Sequence, residues 1–309
     1  MTNGPQSANA RGECPGTDTE RRADAPWGAV FVLWRPDLSA VERNIAVVRE
    51  LGGRILLADN TPSPAVDFAW ASNRGAELLF NGNRDGIAGA LEEACRWAES
   101  RNLPWLLTMD QDSEVSPDWL CPLLASRAAL PADAALVVPE HVTDSSRDFR
   151  SGPSFELGRI RDAMASGNLL RLEAWRAVGG FDRTLFIDQV DHDFCLRLGC
   201  AGFSVWRLYG AKMRHPLGEG RRVRFLGRSV LVLSHPAFRW RTIARNVPRV
   251  SLRHLLREPG FAFREVSTLC KTFVLMLLFE NDRRAKTFAG ARGFLDFLRG
   301  RSGAPPSDV

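Results

Sequence analysis

The sequence predicts an α/β fold, a mostly parallel sheet flanked by helices, followed by a helical C-terminal extension. Three observations carry this. Short apolar runs alternate with helical periodicity through the first half of the chain. Polar, ligand-capable residues follow four of those runs directly. From Val223 onward the pattern changes to arginines interleaved with aromatics, mostly at helical spacing.

The elements follow in order. Ala29 to Trp34 is an unbroken apolar run, as expected of a strand buried on both faces. Leu38 to Leu51 has helical spacing, and Gly52-Gly53 ends it. Ile55 to Ala58 and Glu77 to Phe80 are the second and third strands. Gly86 to Arg101 is a helix with Ile87, Ala90, Leu91, Ala94 and Ala98 on one face. Trp105 to Met109 is the fourth strand. Pro117 to Ala129 is a helix with proline in its first turn, where a missing N–H costs nothing. Ala135 to Val138 is the fifth strand. Residues 140 to 165 read as loop or irregular strands. Then come a short helix at Glu173 to Val178, a helix entered from Asp188 and ending near Gly202, and a strand at Phe203 to Leu208.

Bulk properties exclude several classes. The 309 residues suffice for one large or two moderate domains, and the 45% apolar and 25% charged composition is that of an ordinary globular protein. The net charge of +5 comes almost wholly from arginine, since Lys212, Lys271 and Lys286 are the only lysines. Arginine suits phosphate and carboxylate recognition, although genome composition also produces such a bias. Six cysteines, at 14, 95, 121, 195, 200 and 270, form no CxxC pair and predict reduced thiols in a cytoplasmic protein. The polar start has no apolar signal core, and residues 1 to 26 read as a disordered leader. Thr272 to Phe279 is the longest apolar run, well short of the roughly 20 residues a spanning helix needs, so no transmembrane segment is expected.

The chemistry concentrates in three places. The run ending at Met109 delivers Asp110 and Asp112 into a loop, two residues apart and so on one side of an extended segment. Two such carboxylates can share a hard divalent cation, Mg²⁺ or Mn²⁺, and leave positions open for phosphate oxygens. The rival reading is a haloacid-dehalogenase-like phosphatase, with Asp110 as nucleophile and Asp112 as acid. That arrangement belongs on a first strand with a lysine downstream, whereas three strands precede this motif and the next lysine is Lys212. The second place is Asp188, Asp191 and Asp193, three carboxylates at a helix start, where the dipole keeps them ionised. Capping explains one of them; an ionised carboxylate is also what a general base requires. The third is His215, which follows a strand and as neutral imidazole could complete an Asp/Asp/His site.

Together these segments resemble the family-2, GT-A-fold (Rossmann-like) glycosyltransferases, and among them the rhamnosyltransferase-like branch. The resemblance runs from about residue 28 to about 300. It rests on Val30 to Pro36, Ala58-Asp59-Asn60, Asn83 to Ala90, Met109 to Ser113, Ser166 to Leu169, Gly179 to Asp182, Phe186 to Asp188, Val190 to Arg197, His215-x-x-Gly218 and Arg245-Asn246, in that order. It implies donor-binding roles for Pro36, Asp59, Asn83, Gly86 and Asp110. It implies a metal held by Asp110, Asp112 and His215, with Asp191 as the catalytic base. Asp188, Asp193 and Gly167 would bind the acceptor or support the base. The chain departs from the family pattern at Trp34-Arg35, at Glu92-Glu93 and at Arg241-Thr242.

The implied partners are a nucleotide-sugar donor and a glycan or lipid-linked acceptor in surface-polysaccharide synthesis. The donor is expected to be dTDP-L-rhamnose, with a UDP-hexose or UDP-galactofuranose as alternatives; a non-catalytic nucleotide-sugar binder is the other class. The expected division is a catalytic domain over 27–220 (nucleotide-sugar half 27–140, acceptor half 141–220), a helical extension over 221–300 and a tail over 301–309. The arginine-rich extension lacks any nucleic-acid module, so no nucleic acid is expected. Phe261 to Phe279, turning basic at Arg283, Arg284 and Lys286, reads either as a packed helical subdomain or as a contact with the inner face of the cell membrane.

Overall fold

The computed structural model describes residues 26–142, 154–215, 220–225 and 227–305. The expected leader before residue 26 and the last four residues of the tail lie outside that set, as does Gly218. The chain forms two compact units. One comprises Met1–Asn83, Ala90–Gly180 and Arg197–Pro216; the other comprises Arg84–Gly89, Phe181–Leu196 and Leu217–Val309.

The first unit is built on an eight-stranded sheet in the order β3-β2-β1-β4-β7-β5-β8-β6. Its strands are β1 (Trp27–Leu33), β2 (Arg54–Asp59), β3 (Ala76–Phe80), β4 (Trp105–Asp110), β5 (Ala134–Val142), β6 (Glu156–Ile160), β7 (Asn168–Arg171) and β8 (Ser204–Arg214). β1, β2, β3 and β4 are mutually parallel, and β5 is parallel to β8; β7 and β6 run antiparallel to their neighbours. Every residue of β1 is buried, as its unbroken apolar run requires. Phe31, Leu57, Leu107 and Met109 form the centre of the core with Val41 and Ile45 of α1 (Leu38–Glu50) and Trp119 of α4 (Pro117–Ser126). The short α2 (Phe68–Asn73) is capped by Asp67, whose carboxylate accepts from the Trp70 N–H. Helix α3 (Gly86–Ser100) follows β3, and α5 (Leu172–Ala177) follows β7.

Two strands run longer than the apolar pattern suggests. β5 continues to Val142 and β8 to Arg214, past a register break after the Pro139–Leu208 pair. Gly210, with φ of 86°, lies in that break. The bulge interrupts the alternation that marks a strand in sequence but not the pairing itself. Among the described cysteines, Cys95, Cys195, Cys200 and Cys270 are free, whereas Cys121 on α4 is disulfide-bonded, against the expectation of reduced thiols. Cysteine spacing carries no signal for a bond closed by tertiary approach.

In the second unit, β9 (Gly220–Phe225) and β10 (Arg228–Leu233) pair antiparallel as a hairpin, where mostly helix was expected. Three helices follow, α7 (Ala237–His254), α8 (Pro259–Phe279) and α9 (Arg283–Leu298). They close on Trp240, Met276 and Ala289, all fully buried. Helix α6 (Val190–Cys200) carries the acid-rich segment. Among the described residues no helix is long and apolar enough to cross a membrane.

Candidate active site

Strand register brings the polar strand ends of the first unit level with one another. Asp59 pairs with Leu33 and Asp110 with Val32, so β1, β2 and β4 stop at one edge. Ligands of open α/β sheets bind at that edge. The Gln111 side chain ties two of the ends together: its Oε1 accepts from Trp34 N at 2.7 Å, and its Nε2 donates to Trp34 O at 3.0 Å. Arg35, with φ of 47°, donates its N–H to Thr61 Oγ1 at 3.0 Å, and Pro36 follows in the same turn.

Asp59 is fully buried and its carboxylate is spent on its own loop. It accepts from the backbone N–H groups of Thr61 at 2.9 Å, Ala65 at 2.7 Å and Val66 at 3.2 Å. It therefore shapes the wall expected to meet the donor. After β3, Gly82, Asn83, Asp85 and Gly86 all have φ between 57° and 63°. Such a turn directs successive backbone groups outward and suits Asn and Gly.

Asp110, Asp112 and His215 come together. One ligand atom from each lies within 4.8 Å of the others. β4 delivers the two aspartates, and β8 delivers the histidine, whose N–H bonds to Val142 O at 3.1 Å. A chain of hydroxyls backs the cluster. The Asp110 N–H donates to Ser166 Oγ at 3.1 Å, Ser166 Oγ meets Ser113 Oγ at 2.7 Å, and Ser113 Oγ meets His215 Nδ1 at 2.8 Å. With Nδ1 engaged, Nε2 is the nitrogen left for a cation, the arrangement by which outer partners fix a metal-binding imidazole. His141 sits beside it, ring centroids 5.7 Å apart, with Nε2 2.8 Å from Ser166 O. Burial pushes His141 down to about 4, helped by the nearby His215 and Arg207. Burial also lowers His215, with Asp112 working the other way. Both imidazoles are thus neutral at pH 7, the form a metal binds. Two carboxylates and a neutral imidazole fit Mg²⁺ or Mn²⁺.

Ser113, Ser166, His141 and Gln111 were missed as contributors by the sequence reading. The "SGN" and "DQDS" segments contained the two serines and the glutamine; His141 had no signal. Gly167 is a packing glycine. Its φ is 82°, a Cβ would lie 2.9 Å from Met213 Sδ, and its N–H donates to Thr108 O at 2.7 Å. The departure at Glu92 is also structural: the buried carboxylate accepts from Trp175 Nε1 at 2.9 Å.

The second unit separates the three acids. Asp193 is fully buried, accepting from Arg253 Nη1 at 2.7 Å and lying 3.1 Å from His254 Nε2. Asp188 pairs with Arg239 and accepts from Thr242 Oγ1 at 2.6 Å. Asp191 is half-buried, in the first turn of α6, and its Oδ1 accepts from the His192 N–H at 2.9 Å. Among the described residues it has no cation partner. The loop before it is strained. Phe186, Asp188 and Gln189 all have φ of 66°. Phe186, with ψ of −64°, sits at the centre of a γ-turn closed by Ile187 N to Leu185 O at 2.8 Å, the rare positive-φ form. Asn246 of α7 holds this loop through Nδ2, which lies 2.8 Å from Leu185 O, 2.7 Å from Ile187 O and 3.1 Å from Asp188 O. Arg245 adds a bond to Leu185 O at 3.1 Å. Gly86 packs so closely on the turn that a Cβ would lie 2.3 Å from Phe186 O.

This fold, with two carboxylates and a histidine gathered at its strand edge, is that of the GT-A class. The match to known proteins places it further. Residues 58–194 match the family model "Glycosyl transferase family 2", as expected of an enzyme of the glycosyltransferase class. The chain is 24% identical over 213 residues to the dTDP-rhamnosyl transferase RfbF of Shigella flexneri, covering 62% of this chain and 69% of that one. The fold resembles that of GalNAc-T7, solved with UDP, GalNAc and Mn²⁺ (TM-score 0.51, 14% identity); the match covers 89% of this chain and 56% of that one. It also resembles S. aureus TarS 1–349 (TM-score 0.50, 10% identity, 88% of this chain and 80% of that one).

Proposed function

We propose that the chain is an inverting, metal-dependent glycosyltransferase that moves L-rhamnose from dTDP-rhamnose to a glycan or lipid-linked acceptor in surface-polysaccharide synthesis, at the cytoplasmic side of the membrane. The observation that carries it is the convergence of Asp110, Asp112 and His215 at the carboxyl edge of the parallel strands. The similarity to a dTDP-rhamnosyl transferase supports the donor.

Pro36, Asp59, Asn83 and Gly86 shape the nucleotide pocket. Asp110, Asp112 and His215 would hold Mg²⁺ or Mn²⁺, which when bound neutralises charge on the diphosphate leaving group. Asp191 takes the proton from the acceptor hydroxyl. The acceptor oxygen bonds to the anomeric carbon as that carbon's bond to the diphosphate oxygen breaks, the electron pair leaves with dTDP, and the configuration inverts. Asp188, Asp193 and Gly167 support: the two acids anchor the segment that carries Asp191, and the glycine permits the turn beside Ser166. Asp191 is favoured as base over its neighbours because Arg239, Arg253 and His254 engage the other two.

The test is Asp191→Asn, assayed for dTDP release from dTDP-rhamnose and, separately, for donor binding. Turnover should fall about 100- to 10,000-fold with binding retained. Unchanged turnover would remove Asp191 from the chemistry. A metal-dependent response to a UDP-hexose or UDP-galactofuranose alone would keep the class and change the donor.

A further inference from the structure

The helices α8 and α9 present apolar faces to solvent. On α8, Phe263, Val266, Val274 and Leu277 recur at helical spacing and are 78%, 42%, 49% and 36% exposed, with the exposed Cys270 between them. This stripe runs for about 21 Å at 1.5 Å per residue. The opposite side of the same helix is packed, with Phe261 and Met276 fully buried. Helix α9 repeats the pattern with Phe288, Leu295 and Leu298, at 60%, 44% and 63% exposed. Single exposed apolar residues are ordinary; a continuous stripe of them along a helix marks an interaction surface.

The charges beside these stripes have one dominant sign. Lys271, Arg283 and Arg284 are exposed. The acids of both helices are mostly turned inward. Glu280 pairs with the buried Lys286 at 2.6 Å, and Asp296 pairs with the buried Arg241 at 2.7 Å. Glu265 accepts from Gln189 Nε2 at 2.9 Å. Asp282 alone of the acids on this stretch is exposed.

We propose that the exposed stripe of α8 docks on an anionic lipid bilayer, with its apolar side chains in the headgroup boundary and Lys271, Arg283 and Arg284 on the lipid phosphates. Basic amphipathic helices with Phe and Leu on the apolar face bind such surfaces by the sum of apolar burial and charge. A second copy of the chain fits less well. The same stretch of a second copy would offer Lys271, Arg283 and Arg284 only Asp282 as an exposed acid. Docking does not depend on the reaction proposed above.

The experiment is co-sedimentation of the full chain with vesicles of phosphatidylglycerol and phosphatidylcholine, against pure phosphatidylcholine, at low and high salt. Wild type should pellet with the anionic vesicles only, and less at high salt. Phe263→Ser with Val274→Ser, and separately Lys271→Glu with Arg284→Glu, should each weaken partitioning about tenfold or more. These exposed positions leave the fold intact, checked by thermal melting. No binding to anionic vesicles, or binding by both double variants equal to that of wild type, overturns the proposal. So does a dimer in light scattering that Phe263→Ser with Val274→Ser abolishes.

Discussion

At the scale of single residues, the proposed cation site would depend on groups that never touch the ion. Ser113 holds His215 Nδ1, so Ser113→Ala should lower Mn²⁺ affinity about 10- to 100-fold without unfolding the protein, as read by calorimetric titration. Equal affinity would show that the imidazole needs no orienting partner. Gly167→Ala should cost about 1–3 kcal/mol in denaturant unfolding, because the left-handed backbone and Met213 both resist a Cβ. Asp110, Asp112 and His215 were legible in sequence because strand-end carboxylates and a strand-end histidine are local patterns. Which of Asp188, Asp191 and Asp193 stays without a cation was not legible. Their partners Arg239, Thr242, Arg253 and His254 lie some 50 to 60 residues further along the chain. The Thr242 departure from the family pattern has the same explanation, since its hydroxyl serves Asp188.

At the scale of elements, helix α7 acts as a clamp on the segment 182–193. Each positive-φ residue there costs about 1–3 kcal/mol, and each hydrogen bond returns about 1 kcal/mol, so the loop needs all of its restraints. Asn246→Ala should destabilise the protein by about 1–3 kcal/mol and reduce turnover more than donor binding, a split seen by comparing kcat with donor Kd. Turnover at the wild-type rate would separate the loop from the chemistry. Asp182 belongs to the same clamp, with Arg253 Nη1 at 2.8 Å. Burial disfavours its charge, but bonds from Thr184 and Arg253 outweigh that and hold its carboxyl below 3.8. A lowered folded value means the stabilisation is complete above the unfolded value and is lost as pH falls through the folded one. Arg253→Met should therefore move the acid-unfolding midpoint, followed by circular dichroism, to higher pH. The hairpin β9–β10 does carry a strand signal, since Arg222, Val223, Arg224 and Phe225 alternate and Val230 to Leu233 is a short apolar run, but the arginine-rich, aromatic context favours a helical reading.

At the scale of the whole molecule, the β-α alternation through β5 was readable because a strand buried on both faces and an amphipathic helix leave different periods. The bulge in β5–β8 and the Cys121 disulfide were not, since each depends on tertiary approach. The apolar core of the first unit lies within the sheet and its helices, while the proposed cation ligands sit at and just beyond the strand ends. Chelation by EDTA should therefore leave the thermal midpoint nearly unchanged while abolishing donor binding. A structural metal would instead unfold with the chelator. The most direct test of the central claim is calorimetric binding of dTDP-rhamnose with Mn²⁺ and with EDTA, for wild type and Asp112→Ala. The account expects wild-type binding that requires Mn²⁺ and weakens at least about 100-fold in the variant. Binding that ignores both the metal and Asp112 would contradict it.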